Sequence, residues 1–239
     1  MSVLDYELPY MATIGINNAL SMTVYDTDGV TPLVPTAGTL VVTDGSEVLE
    51  APVVTAGSTS TATLLAASTA ARSTSTRLLL TWLLTIAGDT KPYIRSGYLV
   101  NNQLYPVLSD LMITRRMPHL LSVLGSEVTT LENWRDSAWN ELQRWLIIKG
   151  KRLDLALDQW AFVDMHRYWT VEILAGEFLA SSTSDVDWYA IRDDMKAKRI
   201  EQQDTVSLHW DTNKDGTADE SATEAVQGPV WLNEPYRGY

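Results

Sequence analysis

Two hydrophobic periods share this chain. Up to about residue 104 the apolar residues come in short runs rich in Val, Leu and Thr, such as residues 20–25 (LSMTVY) and 38–43 (GTLVVT). Asp28-Gly29, Asp44-Gly45, Ala56-Gly57 and Gly88-Asp89 punctuate the runs as turns. Short strands at such regular spacing predict a β-sandwich-like domain or small barrel. Residues 78–86 (LLLTWLLTI) predict its buried central strand, with Trp82 as core anchor, and residues 93–104 its closing strand. The Ser/Thr/Ala-rich span 55–76 reads either as a flexible tract or as a strand pair with a mobile loop near Ala71, since Thr favours strands.

From Tyr105 onward the period becomes helical. Leu131, Trp134, Ala138, Leu142 and Trp145 recur at steps of three and four, which places them on one helix face. Thr129 and Glu132 match a capping box, Lys149 and Lys151 suit the negative end, and Gly150 supplies a left-handed stop. A second helix is expected over residues 153–179, burying Trp160, Val163, Leu174 and Phe178. A third, over 185–203, opens on a Ser184…Asp187 box, buries Trp188, Ile191 and Met195, and is otherwise densely charged. A shorter helix over 108–124 is kinked or broken at Pro118. The fold class expected is therefore α+β: a β domain over 1–104, a small helical bundle over 105–206, and an acidic turn with an extended C-terminal arm over 207–239.

Length supports that division, because 239 residues at 45% hydrophobic can fill two modest cores. The net charge of −12 argues against a protein that wraps nucleic acid, which needs concentrated Lys and Arg. Residues 200–239 hold two Lys or Arg against eight Asp or Glu, so half of that charge sits in the C-terminal stretch. Cysteine is absent, which removes disulfides, thiolate metal sites and a cysteine nucleophile. Asp5 and Glu7 do not fit a signal peptide, and the apolar run at 78–86 falls well short of the roughly 20 residues a spanning helix needs. A secreted precursor and a membrane protein are not expected.

No catalytic constellation emerges, and the expectation is that the chain is not an enzyme. The three histidines, His119, His166 and His209, lack zinc-protease spacing, and no nucleophile elbow, phosphate loop or dinucleotide fingerprint occurs. Asp164 and His166 are two apart, so they cannot face each other on one helix and read as surface. Asp193 and Asp194 read as a solvated pair. One stretch invites a cofactor, "DTNKDGTADE" at 211–220. Asp211, Asn213, Asp215, the Thr217 carbonyl and Asp219 occupy the odd positions of a calcium loop, with Gly216 at its turn. Position 12 is Ala222 instead of a bidentate Glu, with Glu220 or Glu224 as substitutes from a differently shaped loop. The other reading is a hairpin, with residues 208–210 as a strand and Lys214-Asp215-Gly216 as the turn.

The closing segment, 228–239, carries Pro229 and Pro235, which disfavour helix and central strand, and it displays Val230, Trp231, Leu232, Tyr236 and Tyr239. Either Trp231 folds back on its own bundle or the arm docks on a partner.

Residues 106–239 resemble the head-tail adaptor (connector or head-completion) proteins of tailed phages. The resemblance lies in the succession "YPVLSDLMITRRMPHL", "LENWRDSAWNELQRWLIIKG", "DLALDQWAFVDMHRYWTVEILAGEFL" and "DWYAIRDDMKAKRIEQQ", then the Asp/Gly turn and the extended "GPVWLNEPYRGY". It implies a structural virion protein of the neck, made in the host cytoplasm. It also implies a homo-oligomeric ring of about twelve copies between the portal protein and a tail or neck stopper protein, with DNA passing through the lumen unheld. Under it Trp231, Leu232 and Tyr236 anchor the arm in the portal, with Arg237 as charge partner. The simplest members are nearly all helical, so the role of the β domain does not carry over. The competing expectation is a calcium-dependent surface or adhesion module, built on the β domain and the 211–219 loop.

Overall fold

A computed structural model describes residues 8–26, 28–45, 47–118, 120, 124, 128–181, 187–206 and 214. The protein is α+β, and the chain divides into two compact units, Met1–Gln103 and Leu104–Tyr239.

The first unit is built on alternation. Strand β8 (Arg77–Ile86) buries Leu78, Leu80, Trp82 and Leu84 on one face and turns Leu79, Thr81 and Leu83 to the other. It is central in a five-stranded sheet of order β1-β9-β8-β5-β6, formed with β1 (Tyr10–Thr13), β9 (Asp89–Val100), β5 (Ala37–Thr43) and β6 (Val48–Glu50). Trp82 is fully buried, as the periodicity predicts. The closing-strand expectation is corrected: β9 starts at Asp89, ends at Val100, and lies between β8 and β1. Ala87 and Gly88, at φ 51° and 88°, form a two-residue turn that pairs Ile86 with Asp89, so the hairpin begins earlier than composition suggests. β1 joins β9 in parallel, and Gly97 admits it, because a Cβ there would lie 2.7 Å from the Tyr10 carbonyl oxygen.

Strands β2 (Asn18–Met22) and β7 (Ser60–Leu64) form a separate antiparallel ribbon, and β3 (Val24–Tyr25) pairs with β4 (Pro32–Leu33). Leu20, Met22 and Leu64 from the ribbon share one core with Leu40, Trp82 and Leu99 from the large sheet. The Ser/Thr/Ala-rich span thus contains a strand whose main partner is β2, far back in the chain. A short helix, α1 (Ala66–Thr69), follows it, and Ala71 lies in the ensuing turn.

The described residues of the second unit include the α-helices α2 (Asp110–Arg116), α3 (Glu132–Ile148), α4 (Val163–Ser181) and α5 (Trp188–Thr205). α2 ends before Pro118, where the ring removes the donor a further turn needs. α3 stops as predicted: Gly150 sits at φ 72°, and Lys151 N–H donates to the Leu146 carbonyl at 2.9 Å. Its buried stripe is Leu131, Ala138, Trp139, Leu142 and Leu146, while Trp134 and Trp145 are half-buried at its margins. α4 packs against both α3 and α5.

The second predicted helix is corrected at its start. Leu153–Leu155 and Gln159–Phe162 are 3₁₀ turns, and the α-helix begins only at Val163. The Asp158 carboxylate accepts from Trp160 N–H at 2.8 Å and holds the second turn. Its tighter winding brings Phe162 into the core, fully buried, and leaves Trp160 60% exposed. Trp160 is therefore a surface residue. Asp187 caps α5, its carboxylate accepting from Ala190 N–H at 3.0 Å; Ser184, the other half of the expected box, lies outside the described residues. Trp188 and Met195 are buried as predicted, and Ile191 is half-buried against the same core.

Candidate functional site

The helical unit carries a polar junction where α2, α3 and α4 meet. Asp110, the first residue of α2, accepts from Leu131 N–H at 3.0 Å and from Thr130 Oγ1 at 3.2 Å. Thr130 Oγ1 in turn accepts from Glu132 N–H at 3.1 Å. The orphan donors at the start of α3 are thus served by Thr130 and by a carboxylate from another helix, favourable at a positive helix end. This corrects the Thr129–Glu132 box, which is not formed. Arg135, one turn into α3, makes an ion pair with Asp110 at 2.8 Å and donates to the Leu108 carbonyl at 2.7 Å.

His166 completes the junction. It is 1% exposed, so the surface reading of this residue is overturned: its ring faces α3 while Asp164 faces outward and pairs with Arg167. Nε2 lies 2.7 Å from the Arg135 carbonyl, which can only accept, so Nε2 carries the proton. Nδ1 is buried without a hydrogen-bond partner among the described residues, and Trp139 packs on the ring at 5.3 Å. Burial pushes the imidazole below its ordinary value. The hydrogen bond to the Arg135 carbonyl opposes that shift, the Arg135 charge adds to it, and Asp136 opposes it.

The other charged surface is α5. Arg199 reaches back to Glu172 on α4 at 2.6 Å and lies 4.5 Å from the Trp169 ring. Lys198 pairs with Asp194 at 2.7 Å, and that hydrogen bond holds its ammonium above the ordinary lysine value. Arg192 pairs with Asp193 and lies 5.5 Å from the Tyr189 ring. These charges are thus matched within one chain. Beside them Tyr189, 63% exposed, and Ile200, 44% exposed, leave apolar area on the outward side of the helix.

The residues predicted for metal and partner binding fall elsewhere. Asp211, Asn213, Asp215 and Asp219 lie outside the described residues, as do Trp231, Leu232, Tyr236 and Arg237, and His119 and His209. Lys214, within the Asp/Gly stretch, has φ 66°, a conformation that tight turns use. Among the described residues no group of three or more His, Asp or Glu is placed to hold a metal ion. No helix among them is long and apolar enough to cross a membrane.

Sequence reasoning missed the Asp110–Arg135 pair, because partners 25 positions apart leave no local spacing signal. It missed the burial of His166 because the residue was weighed only against Asp164, two positions away, whereas the ring is covered by Trp139 and the Arg135 carbonyl of another helix. Fold and site together define an acidic α+β protein whose helical unit has a partly buried polar junction, with His166 its fully buried member. No family model, curated protein or solved structure matches the chain.

Proposed function

We propose that this chain is a structural virion protein, a head-tail adaptor. Its helical unit packs as a small bundle into a ring between portal and tail, and its N-terminal domain is sandwich-like. The observation that carries the reading is the set of α-helices after the last strand, which among the described residues includes one of 7 residues and, further on, three of 17, 19 and 18. That is the succession on which the resemblance to adaptors rests. The net charge of −12 suits a conduit wall that must let DNA pass without holding phosphates. In a ring each copy meets the next through two different surfaces, and exposed apolar side chains such as Tyr189 and Ile200 are the kind such contacts cover.

Native mass spectrometry and negative-stain electron microscopy of the purified protein test this, alone and mixed with portal-bearing particles. Closed rings of about twelve copies are expected. A monomer under both conditions overturns the reading. Tyr189→Glu with Ile200→Glu is expected to leave the melting temperature within a few degrees of the parent while abolishing ring formation. Deleting residues 228–239 is expected to preserve the fold and abolish particle attachment. A truncated chain that still attaches removes the arm from the interface.

A further inference from the structure

The ribbon of β2 and β7 has an incomplete outer edge. On β2 the groups turned away from β7 are sealed: the Tyr10 hydroxyl donates to the Ala19 carbonyl at 2.9 Å and accepts from Ser21 N–H at 3.0 Å. Ala19 and Ser21 stand opposite Thr63 and Thr61, so these two residues turn their backbone groups away from β2 as well. Thr61 is satisfied, exchanging hydrogen bonds of 2.9 and 2.8 Å with Thr55. Leu65, two residues beyond Thr63, donates its N–H to the Glu50 carboxylate at 2.8 Å.

Thr63 lies between these two attachments. In a continued ladder its partner would be Val53, but Val53 turns to the other sheet and pairs with Thr39 of β5. The segment 51–54 therefore leaves β7 at this rung, and a trough of about 690 Å³ opens there. It is lined by Ala19, Ser21 and Thr63 of the ribbon, by Leu65 just beyond the end of β7, and by Pro52 and Val53. Small side chains on the ribbon let an incoming chain approach, and Val53 is 89% exposed at the mouth.

Charge identifies the occupant. Glu50 lies at one end of the trough, half-buried, and one of its oxygens is fixed by Leu65 N–H and by the Ser68 hydroxyl at 2.7 Å. Among the described residues no Lys or Arg lines the trough, and the unit's sequence holds eight Asp or Glu against four Lys or Arg. A preorganised carboxylate beside an open strand rung suits an extended chain with a cationic side chain. We propose that this trough binds an extended segment of a partner protein, which pairs its backbone with Thr63 and sets a Lys or Arg side chain against Glu50. The proposal is independent of the ring reading, since it rests on the first unit alone.

The test uses the full chain, labelled with nitrogen-15, and the blocked pentapeptide Ac-VTKTV-amide, with its norleucine and glutamate forms at the central position. Saturable amide shifts confined to residues 50–55 and 61–65 are expected with the lysine peptide. Its affinity should exceed that of the norleucine form by roughly tenfold. Glu50→Gln keeps an acceptor for Leu65 and Ser68, and is expected to erase that tenfold preference while leaving norleucine-peptide binding unchanged. Thr63→Pro removes only an outward N–H, which an edge position tolerates, and is expected to weaken all three peptides. No shift up to about 10 mM peptide, shifts centred elsewhere, or equal binding of the three peptides to the parent overturns the proposal.

Discussion

His166 carries the sharpest residue-scale consequence. Its imidazole is neutral in the folded protein because burial disfavours the charged form, and its folded pKa lies below the unfolded value of 6.5. The unfolded chain therefore binds the proton more tightly. The stability linked to this residue is complete above about pH 6.5, is lost as pH falls toward the folded pKa, and levels off below it, with a slope of at most ~1.4 kcal/mol per pH unit. Urea unfolding between pH 7.5 and 5 should show this loss, and His166→Gln should flatten it; parallel profiles for parent and variant would remove His166 as the cause. The tryptophans separate just as clearly. Trp139→Ala, at a side chain packed on Phe162 and His166, is expected to cost about 3–5 kcal/mol. Trp160→Ala should cost less than about 1 kcal/mol because the side chain is largely in solvent.

At the scale of elements, two close approaches hold strands and helices in register. Gly97 lets β1 lie against β9, with the Tyr10 carbonyl where a side chain would begin. Gly97→Ala must move backbone, not a flexible side chain, and is expected to cost about 1–3 kcal/mol, read as a shift in urea midpoint at unchanged slope. Asp110 ties α2 to the start of α3 by capping Leu131 and pairing with Arg135. Asp110→Ala removes a cap and leaves a half-buried guanidinium with less compensation, an expected loss of about 1–3 kcal/mol. Asp110→Asn keeps the cap and should recover a large part of that loss. Equal melting temperatures for the two variants would show that the ion pair, and not the cap, carries the effect.

For the molecule as a whole, each unit has a core drawn from its own residues: Leu20, Trp82 and Leu99 in the first, Leu131, Leu174 and Trp188 in the second. A fragment beginning at Leu104 is expected to melt cooperatively by circular dichroism. A sloping, transition-free melt counts against an independent core. Calcium poses a separate question for the chain. If Asp211, Asn213, Asp215 and Asp219 bind it, the ion raises the melting temperature and Asp215→Ala abolishes the rise. No rise in the parent settles the stretch as a turn.

Much of this architecture is local and so was written in the amino-acid order. Alternation in 78–86 places Trp82 at the centre of the sheet, Gly150 ends α3 because it can adopt positive φ, and three-four spacing buries Trp188 and Met195. The hydrophobic period changes near residue 105, and the two units meet at Gln103 and Leu104. What needed tertiary structure is whatever depends on partners distant in sequence or on a phase that slips. The 3₁₀ turn at Gln159–Phe162 shifts the helical phase, so Trp160 leaves the core and Phe162 enters it. Asp110 caps a helix that starts more than twenty positions later. Thr63 gains its open rung only because Val53 pairs with the other sheet. Spacing along a chain encodes which face a residue takes within one element; which element meets that face is decided by how the chain closes on itself, and period alone carries no record of it.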